Sequence, residues 1–257
     1  MRRQEVPVRI NQMNRALVFF IIILLSIVFL MPSSWADGSD WKRKNDAGQD
    51  ALNHANYGKA EDMFTAALKE AEQFGPQDPR LITSLNNLAR LYGGYEGKYV
   101  QSEQLYKRAL AIREKALGPN DSQVADSLND LAGIYFHESK YAEAELLYKR
   151  AIAIQEKALG PNNPHLVKYL DNLVLFYLQQ QKYAEAEQLY KRMLAIQEKT
   201  LDPNNLKDYK HVNVLIVLHK LAACYDTQGK YAEAEPLYKR VLALEEKGVV
   251  FLRRSRS

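Results

Sequence analysis

Asparagine recurs at matched places along this chain, as Asn86 with Asn87, as Asn129 beside Asp130, and as Asn172. A primary amide both donates and accepts hydrogen bonds, so a row of them on successive helices holds an extended peptide backbone without demanding a particular sequence. Arg90, Lys168, His219 and Lys220 stand at equivalent or adjoining positions and add charge to that row. The chemistry these nine residues offer is recognition, in a groove that takes a protein or an extended peptide. The same amides have a competing use, since Asn87 and Asn172 are equally suited to tying neighbouring helices together.

Signals for bond-making chemistry are missing. The chain has no glycine-rich nucleotide loop, no His-Glu-x-x-His helix and no Gly-x-Ser-x-Gly elbow. Its histidines, His54, His137, His165, His211 and His219, are scattered. Glu-Ala-Glu recurs at Glu143/Glu145, Glu185/Glu187 and Glu233/Glu235. Residues two apart on a helix diverge in direction, so these pairs read as solvated helix starts that oppose the helix dipole, not as paired catalytic carboxylates. The single cysteine, Cys224, excludes an intrachain disulfide and a thiolate metal cluster, and its neighbours Leu221, Ala222 and Ala223 mark it as a small buried hydrophobe. The expectation is a non-enzymatic protein that needs no cofactor and no metal.

What positions the recognition residues is a repeat. Tyr57, Tyr99, Tyr141 and Tyr183 fall 42 residues apart, and Tyr231 follows after 48. Segments such as Lys140-Tyr-Ala-Glu-Ala-Glu145 open amphipathic helices, in which Tyr141, Ala144, Tyr148, Ala151 and Ile152 share a face while Glu143, Glu145, Lys149 and Arg150 stay in water. Turns follow at Gly75-Pro-Gln-Asp-Pro79, Gly118-Pro-Asn-Asp-Ser122, Gly160-Pro-Asn-Asn-Pro164 and Asp202-Pro-Asn-Asn-Leu206. In them glycine closes one helix, proline stops it, and Asp78, Asp121 or Asn163 caps the next, with Pro79 and Pro164 at a first helical position. The second helix type runs through Ser84–Tyr92, Ser127–Tyr135 and Tyr169–Tyr177. The unit is an antiparallel helical hairpin. Stacking such hairpins predicts an all-α, right-handed superhelical solenoid of about five helix-turn-helix units, with one helix type lining the concave side.

Leu131-Ala132, Tyr135, Tyr141, Ala144, Tyr148 and Ala151 resemble the tetratricopeptide repeat pattern of small and large residues. The 42-residue period, the Leu-Tyr-Lys-Arg core and the Gly-Pro-Asn turn are similar to the longer kinesin-light-chain type, over roughly residues 42–247. The units fall at about 42–75, 80–117, 122–159, 164–201 and 206–247, between an N-terminal segment 1–36 and a tail 248–257. The first unit lacks the Leu-Asn-Asn-Leu-Ala string and reads as a cap. The turn at Gly93–Gly97 is one residue longer than its equivalents, Val174 replaces the alanine of Ala89, Ala132 and Ala222, and extra residues around Asn205 to His211 lengthen the last connection. Some members of the family clamp a C-terminal carboxylate with Lys and Asn one turn apart. Lys168 and Asn172 match that pair, but Asp126 and Asp130 replace it one repeat earlier, so the resemblance does not extend to a full carboxylate clamp. Kinesin-light-chain function does not follow either, since no heptad coiled coil accompanies the repeats.

The formal charge of +4 at pH 7 invites a nucleic-acid reading, which the placement of charges removes. Arg2, Arg3, Arg9 and Arg15 against Glu5 account for most of it, and beyond residue 36 there are 31 basic and 30 acidic side chains. Phosphate binding needs a clustered excess, present only at Arg253, Arg254 and Arg256. Residues Ala16 to Met31 are apolar except for Ser26, follow the four arginines and precede Ser34 and Ala36. This is the layout of a secretory signal with cleavage before Asp37; the alternative is an uncleaved anchor in the cytoplasmic membrane. Either way the repeats lie outside the cytoplasm, periplasmic or secreted. The expected function is an interaction scaffold of the cell envelope that binds a peptide or protein in its concave groove. The alternative is an anchored assembly subunit that self-associates through its last repeat.

Overall fold

The computed structural model describes residues 38–199 and 209–254. The N-terminal segment expected to act as an export signal or anchor, the Asp202–Leu206 turn and the 205–208 part of the lengthened connection lie outside the described residues. Within them, ten α-helices form five antiparallel hairpins without a strand: α1 (Ser39–Asn53) with α2 (Tyr57–Ala71), α3 (Pro79–Gly94) with α4 (Tyr99–Leu117), α5 (Ser122–His137) with α6 (Tyr141–Leu159), α7 (Leu166–Gln179) with α8 (Tyr183–Lys199), and α9 (Tyr209–Thr227) with α10 (Tyr231–Arg254). The last helix continues past Gly248 to Arg254, so helical backbone runs through the first part of the expected tail. None of the described helices is long and apolar enough to cross a membrane.

The two turn types follow from local chemistry. Inside each hairpin the chain passes through one left-handed residue: Ala55, Gly97, Ser139, Gln181 or Gly229. The next backbone N–H then donates back to the helix it has left, as in Lys140 to Tyr135, Lys182 to Tyr177 and Lys230 to Tyr225, at 2.8–2.9 Å. The longer Gly93–Gly97 turn shifts this bond by one residue, from Lys98 to Tyr92, and the Ser102 hydroxyl closes the gap by donating to the Ala89 carbonyl at 2.7 Å. Between hairpins, Gly118 and Gly160 adopt φ of 89° and 87° with extended ψ, conformations closed to a side chain. Asp78 and Asp121 then cap α3 and α5 by accepting from Arg80 and Gln123 N–H. Asn163 accepts from His165 N–H in the same way. Pro79 is the first residue of α3, but Pro164 falls in the turn before α7, because the chain enters that helix through tight bonds from Leu166 to Asn163 and from Val167 to Pro164.

The chain divides into two compact units, one ending at Gly75 and one beginning at Pro76. In the first, α1 packs on α2 with Phe64 and Ala67 fully buried, and Gly48 leaves room for the Phe64 ring at the crossing. In the second, α4 packs on α5, α6 on α7 and α8 on α9, so each hairpin covers the next. One continuous core runs from Val124 to Ala234, and the small residues Ala132, Ala144, Ala151, Ala186 and Ala222 sit at the helix crossings. Val174 is fully buried among them. Tyr148, Ala151 and Ile152 are buried as their periodicity predicts. Tyr141 is not: it is 43% exposed, because the first residue of a helix projects beyond the crossing that buries the next two turns.

The acidic pairs divide. Glu143 and Glu185 are exposed, as expected of helix starts. Their partners are drawn into the junction with the following hairpin, which corrects the reading of Glu145 as a solvated residue. Glu145 accepts from Lys149 on its own helix at 2.6 Å, from the Tyr177 hydroxyl at 2.9 Å, and pairs with Lys182 at 3.5 Å. Glu187 repeats this with Lys191, Tyr225 and Lys230 at 2.7, 3.2 and 2.9 Å. Glu103 does so with Lys107 and with Lys140, 2.7 Å away. Lysine bonds outweigh burial at Glu103 and Glu187, bringing both carboxyls down to about 2. The lysines also sit over the tyrosine rings, Lys107 and Lys140 on Tyr135, and Lys191 and Lys230 on Tyr225, at 5.1–5.7 Å. A second ladder links the outer helices through Arg150 to Glu114, Arg192 to Glu156 and Arg240 to Glu198.

Candidate functional site

Tyr92, Tyr135, Tyr177 and Tyr225 end the first helix of each hairpin in the second unit and give the register of its inner face. Asn87, Asp130, Asn172 and Lys220 share one position; Asn86, Asn129, Asp171 and His219 share the one before it; Thr83, Asp126, Lys168 and Ile216 lie one turn earlier. These rows are neighbours on a helix surface, so hairpin stacking aligns them into a strip along α3, α5, α7 and α9.

Much of the strip is bonded to itself. Asn172 Nδ2 donates to Asn129 Oδ1 at 2.9 Å, using one donor and one acceptor of that pair to join α7 to α5. Lys220 Nζ reaches Asp171 Oδ1 at 2.7 Å, and Lys168 Nζ reaches Asp126 Oδ1 at 2.7 Å. The Tyr169 hydroxyl donates to the same Asp126 oxygen and accepts from Gln155 Nε2 at 2.8 Å, which fixes the α5–α7 spacing. Asn87 and Arg90 are both engaged in contacts. Asn86 is half-buried with its Oδ1 shielded and unbonded. His219 is exposed and lies edge-on to Tyr238 of α10, 5.7 Å away, so it packs within its own hairpin.

Asp130 stands apart. No lysine or arginine forms an ion pair with it among the described residues. Burial pushes its carboxyl up from 3.8 to about 6, the Asp126 charge adds to this, and Arg113, the Asn129 amide and Lys168 only partly oppose it. The buried tyrosines Tyr106 and Tyr148 are raised in turn, first by burial and then by the Asp130 charge, Tyr148 to about 12.

Where α7, α8 and α9 meet, the strip opens into a cleft of about 310 Å³. Val167, Met193, Ile216 and Val217 supply apolar lining, and Lys168, Asp171 and Lys220 supply polar lining. Lys168 and Lys220 were legible as groove residues in the sequence. Asp171, Met193 and Ile216 were not, although the replacement of Lys168 by an apolar residue at the equivalent position 216 was an available signal. Cys224 is buried, near the Tyr183 carbonyl, and burial raises its thiol, which leaves it a packing residue. Among the described residues no three His, Cys, Asp or Glu side chains are grouped to hold a metal ion.

Comparison with known proteins agrees with the register of this strip. The family model described as tetratricopeptide repeat matches residues 47–115, 94–157, 123–199 and 167–247. No protein of curated function matches by sequence. Among solved structures, the nearly identical kinesin-light-chain TPR-like repeats of Podosopora anserina superpose with a TM-score of 0.67 at 25% identity, covering 80% of this chain and 95% of that one. BtubC (BKLC) from P. vanneervenii gives 0.69 at 22% identity over 83% and 84%. Aspartyl phosphate phosphatase F from Bacillus subtilis gives 0.65 at 18% identity over 81% and 51%. The last two likenesses are of fold alone. With its helical hairpins matched in register from residue 47 to residue 247, the chain belongs to the tetratricopeptide repeat family and has the solenoid fold of a protein–protein interaction scaffold.

Proposed function

We propose that the strip along α3, α5, α7 and α9 binds an extended segment of a protein partner, with the cleft between α7 and α9 taking one of its apolar side chains. The observation that carries this reading is the cleft: an apolar floor open to solvent, with Lys168, Asp171 and Lys220 placed to meet a peptide backbone at its edge. A preformed groove leaves the ordering cost of binding to the ligand, which suits an extended chain. Asn87, Asn129 and Asn172 serve as sequence-tolerant contacts along the strip. The apolar run at residues 16–31 supports export of this scaffold to the cell envelope, either released before Asp37 or held by that run.

Binding of a fluorescent, degenerate peptide pool to the protein tests the groove. Ile216→Glu, at an exposed position, and the triple change of Asn87, Asn129 and Asn172 to alanine should each weaken binding while helical circular dichroism persists. Undiminished binding by both variants removes the strip as the site. The mass of the protein recovered from the envelope tests export, since a mature N-terminus at Asp37 indicates release and retention of Arg15 to Met31 indicates anchoring.

A further inference from the structure

The inner face of the second unit carries three carboxylates, Asp126, Asp130 and Asp171, and the next hairpin neutralises two of them. Lys168 bonds Asp126 and Lys220 bonds Asp171, each at 2.7 Å. At the corresponding place beyond Asp130 stands Asn172, whose amide is given to Asn129. The other cation that acts on it, Arg113 from α4, donates from Nη1 to the Ser127 hydroxyl and the Gln123 carbonyl and forms no ion pair with Asp130. Asp130 is therefore left as a half-buried carboxylate whose surroundings do not balance its charge.

Two independent features point toward a ligand at that carboxylate. Tyr106 from α4 and Tyr148 from α6 are only 6% and 7% exposed, yet neither hydroxyl has a hydrogen-bond partner among the described residues, and both lie within reach of the Asp130 charge. Neither phenol oxygen is fully shielded, so both stay open to an incoming donor. Gly133, one helical turn beyond Asp130, occupies the position held by Arg90 and Leu175 in the flanking hairpins. A Cβ added there would meet only the Tyr148 hydroxyl, at 3.6 Å, so packing does not demand glycine. Glycine in a helix interior lowers stability, and here its effect is open space beside the Tyr148 hydroxyl, one helical turn from Asp130.

Resting on the groove reading above, we infer that Asp130 with the Tyr106 and Tyr148 hydroxyls forms a pocket for a cationic side chain, lysine or arginine, of the segment lying across α5. A carboxylate and two phenol oxygens offer acceptors to the donors of an ammonium or guanidinium, and the ring faces and edges around them favour a cation over a neutral amide. An acidic ligand is repelled there.

The experiment compares four pools of acetylated, amidated peptides of fixed length, identical except that the central residue is Arg, Lys, Gln or Glu. Binding is followed by fluorescence anisotropy with the unaltered protein, with Asp130→Asn and with Gly133→Leu. The Arg and Lys pools should bind roughly tenfold or more tighter than the Gln pool, the usual advantage of charge-assisted hydrogen bonds. Asp130→Asn should bring the three pools within about twofold of one another. Gly133→Leu keeps the charge, strengthens the helix and fills the space, and should remove the same preference. Equal binding of all four pools by the unaltered protein, or a preference that survives Asp130→Asn, overturns the pocket and leaves the groove standing. Failure of every pool to bind removes both.

Discussion

Replacing Asp130 with asparagine is expected to stabilise the fold at neutral pH. The carboxyl is raised from 3.8 to about 6, so the folded protein holds its proton more tightly than the unfolded chain does. The sign follows: the cost of keeping Asp130 ionised is fully present above about pH 6, falls as pH drops through 6, and is gone near the ordinary value. A shift of about two pH units corresponds to about 3 kcal/mol at pH 7, an upper bound because the side chain keeps some contact with water. Asparagine already stands at this position in the flanking hairpins, as Asn87 and Asn172, so the backbone and neighbouring repeats accept it. A net gain of about 1–3 kcal/mol is the expectation. Urea unfolding followed by circular dichroism at pH 7 and at pH 4.5 measures it, and the gain should shrink to roughly a third at the lower pH. An Asp130→Asn protein less stable than the parent at pH 7, or one with the same gain at both values, would refute the reasoning. A gain would also mean that the acid is kept at a cost to stability, which is what a ligand-binding role requires.

Other expectations address the junctions and turns. Glu187→Gln should destabilise by about 1–2 kcal/mol at pH 7, because a charge-assisted set of bonds from Lys191, Lys230 and Tyr225 is weakened. Its carboxyl is depressed to about 2, so its stabilisation is present above about pH 4.5 and is lost as pH falls through 2; acid titrations of parent and variant should converge over that window. Gln181→Gly and Ser139→Gly, at φ of 58° and 60°, should each raise stability by up to about 1 kcal/mol, since a left-handed residue with a Cβ is strained; no gain in urea midpoint would count against the turn geometry. Gly48→Ala should lower stability by at least about 1 kcal/mol, because its Cβ would fall 2.6 Å from the Phe64 ring; unchanged proteolytic resistance of residues 38–75 would contradict this.

Local pattern fixed the hairpins well. The recurrence of Gly-Pro with Asp or Asn, and of small residues three and four apart, is short-range information, and it placed the first three turns between hairpins, their caps and most of the buried faces. It did less for contacts that cross repeats. Tyr141 shares a helical face with Tyr148, but periodicity cannot say how far along the helix the neighbour extends, and Tyr141 lies beyond it. Glu145 is polar by any local rule, and only Tyr177 and Lys182, 32 and 37 residues away, draw it into a junction. The signal existed, in that Glu, Tyr and Lys recur together in every junction. Among the groove residues, register placed Lys168, Asn172 and Lys220 on one strip, whereas the isolation of Asp130 depends on which lysine reaches which carboxylate, a matter of geometry between helices.

The uniform junctions carry a consequence for how such a chain changes in length. Lys182 and Tyr177 offer Glu145 the same groups that Lys140 and Tyr135 bring beside Glu103 and its Lys107. Excision of one 42-residue unit, residues 122–163, would bring Glu103 against Tyr177 and Lys182 and restore an equivalent seam. Gain or loss of whole units by recombination between near-identical segments is therefore structurally silent at the outer ladders. The inner strip is different in every unit, so each such event rewrites the order of charges presented to a ligand while the scaffold stays the same.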